Sequence, residues 1–338
     1  MITMRDVADR AGVSATTVSH VINGTRFVSE EIRQRVLDAM RQLEYQPNAL
    51  ARSLRLGQTN TLGMIVPDSA NPFFAEMAHA IEGASFSHGH NVILCNSEGD
   101  LSKELVYTNV LMEKQVDGII FVAAGLSSQH ILSIAERSVP VVVVDRGLPD
   151  IAVDTVMCDN KGGGYAATAH LIGLGHTRIG CISGPSTLTP SAGRVLGYRQ
   201  ALADSGLPVD ENLIQQGDFQ YSRSASAMAR LLEQPEPPTA VFACNDMMAI
   251  AAISVANERG LRVPCELAVV GFDDVALASF ISPPLTTVAQ PTQQMAEKAI
   301  ELLLARIDNQ ALPVQRLLLA THLVVRRSTA PLGGLYAR

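Results

Sequence analysis

Polar and aromatic residues gather behind the aliphatic segments of this sequence, and their types suit ligand binding better than catalysis. Carboxylates, guanidinium groups and amides can pair the hydroxyl groups of a polyhydroxylated small molecule, while aromatic rings can stack on its faces. The positions of this kind are Asn71, Phe73, Phe74, Asp145, Arg146, Arg194, Asn245, Asp273 and Gln290. Any one of them alone could be an ordinary cap at a strand end, but several such ends together predict a binding cleft.

The same strand ends lack the groupings that catalysis or metal binding would need. We find no Ser/His/Asp grouping, no His cluster with metal-ligand spacing, no glycine-rich phosphate loop and no context for a nucleophilic cysteine. The five cysteines are scattered, mostly beside apolar runs, which predicts buried thiols in a reducing cytosol rather than disulfides. We therefore expect no enzyme activity, no cofactor and no metal.

A second recognition surface is predicted near the N-terminus, where residues 4–23 read as two short helices joined by a tight turn. Gly12 supplies a helix end and Ser14 can cap the second helix. The side expected to be buried holds Val7, Ala8, Ala11, Val18, Val21 and Ile22. The side expected to remain outside holds Ala15, Thr16, Thr17, Ser19 and His20.

Short hydroxyl side chains and a histidine on one helix face suit a DNA major groove, because they let the helix backbone approach the base edges. An ordinary helical hairpin with a polar outer face is the alternative that these twenty residues leave open. A third helix, capped by Ser29 and running to about Glu44, would complete a small helical domain that ends before Pro47.

The segment 48–57 is a short helical stretch between two helix breakers, too short to be stable alone. Leu54 is a candidate wedge for a minor-groove base step, with Arg52 and Arg55 beside it for phosphates. Composition alone slightly favours a plain linker helix with Leu54 packed on the rest of the protein.

Net charge is distributed unevenly along the 338 residues. Residues 1–60 hold eight Arg and six Asp plus Glu, a net charge of +2, whereas the remainder carries −9. This asymmetry indicates a mildly basic module on an acidic body, so two copies in a dimer are the more plausible way to hold a duplex. Neither a membrane-spanning run nor a signal segment is recognisable, which predicts a cytoplasmic protein without a membrane partner.

From Thr61 onward, short aliphatic strands alternate with helical segments, a pattern typical of parallel sheets covered on both faces. Such folds bind ligands at the carboxyl ends of their strands. The predicted strands are Leu62–Val66, Val92–Cys95, Gly118–Val122, Val139–Val144, Ile179–Ser183, Ala240–Cys244, Ala268–Phe272 and Leu285–Ala289.

The chain resembles the lactose-repressor family of bacterial transcription regulators, because motifs of that family occur in the same order along nearly the whole sequence. The motifs are Asp6-Val-Ala8, Ala11-Gly-Val-Ser14, Thr16-Thr-Val-Ser-His-Val-Ile-Asn23, Pro47-Asn-Ala-Leu-Ala-Arg-Ser-Leu54, Asn71-Pro-Phe-Phe74, Val116-Asp-Gly118, Asn245-Asp246, Gly271-Phe-Asp-Asp274 and Pro284-Leu-Thr-Thr287. The resemblance implies an all-α helix-turn-helix headpiece (1–46), a hinge helix and linker (47–60), and an α/β body (61–338). The body would have two doubly wound parallel-sheet lobes similar to periplasmic sugar-binding proteins.

The resemblance also implies three crossings between the lobes, near Asn160, Gln290 and Thr321. Lobe one would then hold about 61–160 and 291–321, and lobe two about 161–290 and 322–330. Carried over by position, the DNA-binding residues would be Ser14, Ala15, Thr16, Thr17, His20, Arg26, Ala51, Arg52, Leu54 and Arg55. Leu54 thereby becomes the expected minor-groove wedge, reversing the preference for a plain linker.

The effector implied by the resemblance is a pentose, with ribose first. Purine-responding members of the family are expected to have an arginine and a threonine at the positions of Leu188 and Pro190 in this chain. They also tend to have a tryptophan at the position of Arg146. The strand-end residues instead resemble the pocket of ribose-binding proteins, with Phe73, Phe74 and Phe219 around the sugar ring. A purine or nucleoside corepressor is the alternative, and a sugar-binding receptor without a DNA function is a further one.

The expected mechanism is that of a cytoplasmic homodimer on a pseudo-palindromic operator, associated with the nucleoid when bound. Effector closure of the cleft would change the spacing of the paired first lobes and release the hinge helices. Only eleven residues follow Arg327, too few for a heptad coil, so a tetramer is not expected.

Overall fold

The computed structural model describes residues 2–24, 26–45, 58–122, 131, 134, 137, 139–148 and 150–333. The chain divides into two compact units, Met1–Thr59 and Asn60–Arg338. The predicted DNA-contact residues Ala51, Arg52, Leu54 and Arg55 lie outside the described residues.

Three helices form the described part of the first unit: α1 (Met4–Ala11), α2 (Ala15–Asn23) and α3 (Glu30–Gln42). The predicted turn between α1 and α2 is confirmed, with Gly12 in the left-handed region at φ 63°. Ser14 caps α2, because its hydroxyl accepts a hydrogen bond from the backbone N–H of Thr17 at 3.1 Å. The helices share one small core of Val7, Ala8, Ala11, Val18, Val21, Val36 and Ala39.

Some details of this unit differ from the prediction. Ile22 is only half-buried, and so are Ala15, Thr17, Ser19 and His20 on the face expected to be outside. Ser29 occupies the N-cap of α3 without a side-chain cap hydrogen bond, so the predicted cap at Ser29 is wrong in that respect. Helix α3 ends at Gln42, and Glu44 adopts a positive φ of 48°.

The second unit contains two six-stranded sheets, which confirms the predicted pair of doubly wound lobes. The first sheet has the order β11-β5-β4-β3-β1-β2 and is parallel throughout. Its strands are β1 (Thr61–Val66), β2 (Asn91–Asn96), β3 (Gly118–Val122), β4 (Val141–Val144), β5 (Asp154–Cys158) and β11 (Arg316–Leu319). The helices α4 (Pro72–Ser87), α5 (Leu101–Glu113) and α11 (Thr292–Asp308) pack against it.

The second sheet has the order β12-β10-β9-β8-β6-β7, and all pairs are parallel except the antiparallel pair of β10 and β12. Its strands are β6 (Ile179–Ser183), β7 (Ile214–Gln216), β8 (Ala240–Ala243), β9 (Ala268–Asp273), β10 (Thr286–Ala289) and β12 (His322–Val324). Its helices are α6 (Asn160–Gly173), α7 (Thr189–Asp204), α8 (Tyr221–Leu232), α9 (Asp246–Glu258) and α10 (Ala276–Phe280).

Each lobe is discontinuous in sequence, because the chain passes between the two sheets three times: after β5, after β10 and between β11 and β12. The central strands are fully buried aliphatic runs, as expected for strands covered on both faces. Cys95, Cys158, Cys181 and Cys244 are buried, whereas Cys265 is exposed. Among the helices described, none is long and apolar enough to cross a membrane.

Candidate functional site

A cavity of about 310 Å³ lies where strands of both sheets end, at their carboxyl edges. Nine of the ten residues that the sequence singled out for effector binding line it: Asn71, Phe73, Phe74, Asp145, Arg146, Arg194, Phe219, Asn245 and Asp273. The tenth, Gln290, lies behind the wall. The volume is at the small end of the range for ligand pockets, about 300–1,000 Å³, which favours a ligand of monosaccharide size.

Arg194, on α7, is held in place by contacts on several sides. Its Nε donates to Oδ1 of Asn160 at 2.7 Å, and its Nη1 donates to the carbonyl oxygen of Cys244 at 2.6 Å. Nη1 also lies 3.3 Å from Oδ1 of Asp273, and the guanidinium carbon is 3.7 Å from the centroid of the Phe272 ring. A planar cation fixed in this way can present its remaining nitrogen, Nη2, in one defined direction.

Asp145 directly follows β4 as a buried carboxyl, and its Oδ1 has no hydrogen-bond partner in the part of the chain that the structure describes. Burial raises the pKa of Asp145 to about 7, with the carboxyl of Asp273 adding to the rise and Arg194 opposing it. A buried acceptor without a partner is costly, so a ligand that donates a hydrogen bond there would recover that cost.

Asp273 ends β9 and is held by two side chains. Gln290 donates from Nε2 to Oδ1 of Asp273 at 2.8 Å, while Arg194 lies against the same oxygen. Burial raises the pKa of Asp273 to about 6, because the loss of water outweighs the favourable effects of Arg194 and Gln290. Gln290 therefore orients a carboxyl of the pocket without lining the pocket.

Backbone strain concentrates around the cavity. Asp145, Phe219 and Asp273 adopt positive φ values of 69°, 59° and 122°, a region that non-glycine residues rarely occupy. The ring of Phe219 lies against Gly184, where an added Cβ would stand 2.2 Å from a ring atom. The fold thus places an aromatic face at this wall, and only glycine at position 184 permits it.

Asn71 and Asn245 combine a structural role with their place in the wall. The side-chain oxygen of Asn71 accepts from the N–H of Phe73 at 3.1 Å, and that of Asn245 accepts from the N–H of Met248 at 2.8 Å. Both residues are N-caps, of α4 and α9. The alternative of strand-end capping is therefore correct for these two residues, although it does not remove them from the cavity lining.

Several residues of the site were missed from the sequence. Asn160 and Phe272, which hold Arg194 without lining the cavity, were not singled out. Leu188 and Pro190, already compared with the purine-responding pattern, form part of the apolar wall of the cavity. The remaining wall residues that the sequence did not single out are Pro67, Gly99, Pro185 and Thr187. Only the position of Arg194, nine residues beyond the strand end at Ser183-Gly-Pro185, hinted at a ligand-facing helix there.

Within the described ranges, hydrogen bonds join the two lobes at two places. The N–H of Gly147 in the first lobe donates to the hydroxyl of Thr189 in the second at 3.2 Å. The carboxylate of Glu76, on α4, accepts from the N–H of Ala276 at 2.8 Å. Because both bonds bridge the cleft, any change in the angle between the lobes must alter them.

In the first unit, the predicted DNA-contact face lies on α2 and the turn after it. Ser14, Thr16 and Arg26 are exposed, whereas Ala15, Thr17 and His20 are half-buried. The hydroxyls of Ser14 and Thr17 lie 2.9 Å apart, which holds both at the N-terminal end of α2. No group of three or more His, Cys, Asp or Glu in the described ranges could hold a metal ion.

Comparison with known protein families identifies both units. Residues 3–48 match the model of bacterial regulatory proteins of the lacI family, and residues 168–329 match the periplasmic binding protein-like domain. The HTH-type transcriptional repressor PurR of Aliivibrio salmonicida is 42% identical over 92% of this chain and 93% of its own length. The ribose operon repressor of Escherichia coli (strain K12) is 43% identical over 97% of this chain and 100% of its own length.

Solved structures give the same result. The lac repressor dimer bound to operator and the anti-inducer ONPF has a TM-score of 0.87 at 28% identity, covering 97% of this chain and 99% of its own. A LacI-family regulator from Enterococcus faecium with bound ribose has a TM-score of 0.74 at 30% identity, covering 80% of this chain and 99% of its own. The chain belongs to the lacI family of bacterial regulatory proteins, and it is a DNA-binding transcriptional repressor under the control of a small molecule.

Proposed function

We propose that the effector is a pentose, with ribose as the first candidate, and that it acts as an inducer. The observation that carries this proposal is the pairing, in one small cavity, of two buried carboxyls with two guanidinium groups beside aromatic rings. A sugar hydroxyl donates one hydrogen bond and accepts others. Asp145 and Asp273 would accept from such hydroxyls, while Arg146 and Arg194 would donate to them.

The aromatic residues suit the faces of a furanose or pyranose ring. Phe73 and Phe74 stand edge to face, with their centroids 5.2 Å apart, and come from the first lobe. Phe219 lies on the second lobe, against Gly184. A ligand held between them touches both lobes, so its binding free energy can favour one angle of the cleft over another.

We infer that the headpiece reads the operator through α2. Ala15, Thr16 and His20 would meet base edges, while Ser14, Thr17 and Arg26 would lie nearer the backbone. Functionally, we divide the chain into a headpiece (1–46), a linker (47–60) and the two lobes with boundaries near 160, 290 and 321. The repressor would work in the cytoplasm and release its effector unchanged, without turnover.

We also propose that the protein acts as a homodimer through the outer surface of its first lobe. Helix α5 buries Glu104, Thr108 and Leu111 against the sheet, yet its opposite side is also apolar. Together with the edge strand β2, that side forms a surface we term the α5 face, consisting of Ile93, Leu94, Leu101, Leu105, Val106 and Val110, all exposed. A contiguous patch of exposed apolar side chains of this kind is typical of a protein–protein interface, and a related repressor was solved as a dimer.

A purine corepressor is the second candidate, because a PurR repressor is among the relatives at 42% identity. The wall of the cavity argues against it. The side chains of Leu188 and Pro190 offer no hydrogen bond to the polar edge of a base. A ribose operon repressor is about equally similar, at 43% identity, so overall similarity does not separate the two candidates.

A thermal-shift panel of pentoses, hexoses, nucleosides and purine bases tests the effector class. A ligand that binds only the folded state at a hundred times its Kd stabilises it by about 2.7 kcal/mol. We expect D-ribose to raise the unfolding temperature and the hexoses and purine bases to leave it unchanged. A shift with a purine base and none with ribose would favour the second candidate.

Ribose affinity should fall as the solution becomes acidic. With a pKa of about 7, roughly 90% of the Asp145 carboxyl is protonated at pH 6, and a protonated carboxyl has lost an acceptor for the sugar hydroxyls. Binding of the ionised form releases a proton, so affinity rises with pH through this window. We expect about tenfold weaker binding at pH 6 than at pH 8 in calorimetric titrations.

The Asp145→Asn variant is the control for this pH dependence. It keeps the size of the side chain but cannot ionise, so the tenfold change should shrink to about the twofold that Asp273, with a pKa of about 6, still contributes between pH 6 and pH 8. A wild-type affinity that is constant over the same range would show that ionised Asp145 is not a ligand to the effector.

A further inference from the structure

Phe27 is exposed to an extent that the fold does not explain. Its side chain is 96% accessible, the largest fraction among the exposed large hydrophobic residues of the described chain. The neighbouring Val28 packs against the core of the first unit. The short connection from α2 to α3 thus buries one apolar side chain and turns the adjacent one fully outward.

The local backbone fixes where Phe27 stands. Gly24, at φ 64°, ends α2, and its N–H donates to the carbonyl oxygen of His20 at 2.9 Å. Five residues later, Ser29 is the N-cap of α3. Phe27 therefore lies directly after the helix that reads DNA and immediately beside Arg26, which is also exposed.

Single exposed hydrophobic residues are common on protein surfaces, so exposure alone assigns nothing. The second argument for a function of Phe27 is its position relative to α2. When a recognition helix enters the major groove with its N-terminal residues at the bases, its C-terminal end and the loop that follows lie near the sugar–phosphate backbone. We propose that Phe27 is a DNA-contact residue whose ring packs against the deoxyribose beside the phosphate that Arg26 contacts.

Such a contact is apolar and removes no charge from the DNA, which separates it from the contact of Arg26. Each phosphate neutralised by a cationic side chain adds about 1 to the slope of log affinity against log salt. A ring on a sugar adds affinity at every salt concentration and leaves the slope unchanged. The proposal rests on the DNA-binding role of the family and is independent of the identity of the effector.

The test uses the full-length protein and an operator duplex, meaning a palindromic DNA selected by the wild-type protein from a random-sequence library. We expect Phe27→Ala to weaken operator binding about tenfold per half-site with an unchanged salt slope. Arg26→Ala should lower the slope by about 1 per half-site. Leu37→Ala, another large exposed residue of the same unit, should leave the affinity within twofold of wild type.

Three further readouts make the outcome decisive. Circular dichroism and sedimentation should show Phe27→Ala folded and as dimeric as wild type, because the ring makes few contacts within its own unit. The loss should persist on a duplex in which uracil replaces thymine, since a sugar contact does not need the thymine methyl. Wild-type affinity of Phe27→Ala, a loss confined to thymine-containing DNA, or a weakened dimer would each overturn the assignment.

Discussion

The Arg194→Met variant is expected to lose measurable ribose binding. Its free energy of unfolding should be about 3–5 kcal/mol lower than that of the wild type. Arg194 and Asp273 are both almost completely buried and face each other at 3.3 Å. Removing the cation leaves the carboxyl of Asp273 without its partner in a site that has little water. The same change removes the guanidinium that would donate to the sugar, so one substitution affects both stability and binding.

The double variant Arg194→Met/Asp273→Asn separates these two effects. Asparagine tolerates the positive φ of position 273 better than most residues, and it carries no charge that needs a counterion. Replacing both members of a buried ion pair is often close to neutral for stability. We therefore expect most of the free energy of unfolding to return while ribose binding stays absent.

Urea unfolding followed by circular dichroism and calorimetric titration with ribose measure the two quantities. The matched control is Arg223→Met in the same lobe, because Arg223 also pairs with an aspartate, Asp218, but its own side chain is 62% exposed. An exposed pair contributes about 0–1 kcal/mol, so this variant should be nearly as stable as wild type and bind ribose normally. Ribose affinity of Arg194→Met within twofold of wild type would contradict the proposed pocket.

The second large effect is expected at the α5 face. Val106 is 59% exposed on the outer side of α5, and an aspartate in its place would put an unpaired carboxylate into an apolar dimer interface. We expect Val106→Asp to be monomeric in sedimentation experiments. Two headpieces joined in one dimer gain about 10²–10⁴ in avidity, so operator affinity should fall at least a hundredfold.

Ribose binding by Val106→Asp should remain normal, because α5 lies outside the cavity. The control is Leu196→Asp on α7 of the second lobe, which introduces the same charge at a similarly exposed apolar position. A dimeric Val106→Asp protein with wild-type operator affinity would place the dimer interface elsewhere.

Features were predictable from the sequence where a residue's role depends on its immediate neighbours along the chain. Asp145 and Asp273 were each predicted to face the ligand because each stands at the carboxyl end of an aliphatic strand, where folds of this class bind their ligands. The helix-turn-helix was predictable for a similar reason, since Gly12 and Ser14 mark its turn by local backbone chemistry.

The contacts that hold Arg194 could not be predicted in this way. Asn160 lies 34 residues away along the chain, and the two meet because helices α6 and α7 pack closely against each other. From the sequence, Phe272 is indistinguishable from the other apolar residues of its strand. No neighbouring residue predicts that its ring will lie under a guanidinium group.

Four strands were missed for a common physical reason. The edge strands β11 and β12 are short and contain only exposed and half-buried residues, and β7 is only three residues long. Their extended form depends on the neighbouring strand rather than on an aliphatic run of their own. The fourth, β5, begins with Asp154, which pairs with Arg306, so a charged residue stands where the pattern would want an apolar one.

The most direct test of the whole account is a titration of operator affinity with D-ribose, measured by fluorescence anisotropy on the selected operator duplex with wild-type protein. Allosteric coupling between two sites commonly changes affinity 5–150-fold. We expect saturating ribose to weaken operator binding by at least about tenfold, and Arg194→Met/Asp273→Asn to bind the operator with no response to ribose. Operator affinity that is unchanged by saturating ribose, or that rises when a purine base is added, would contradict a pentose-induced repressor.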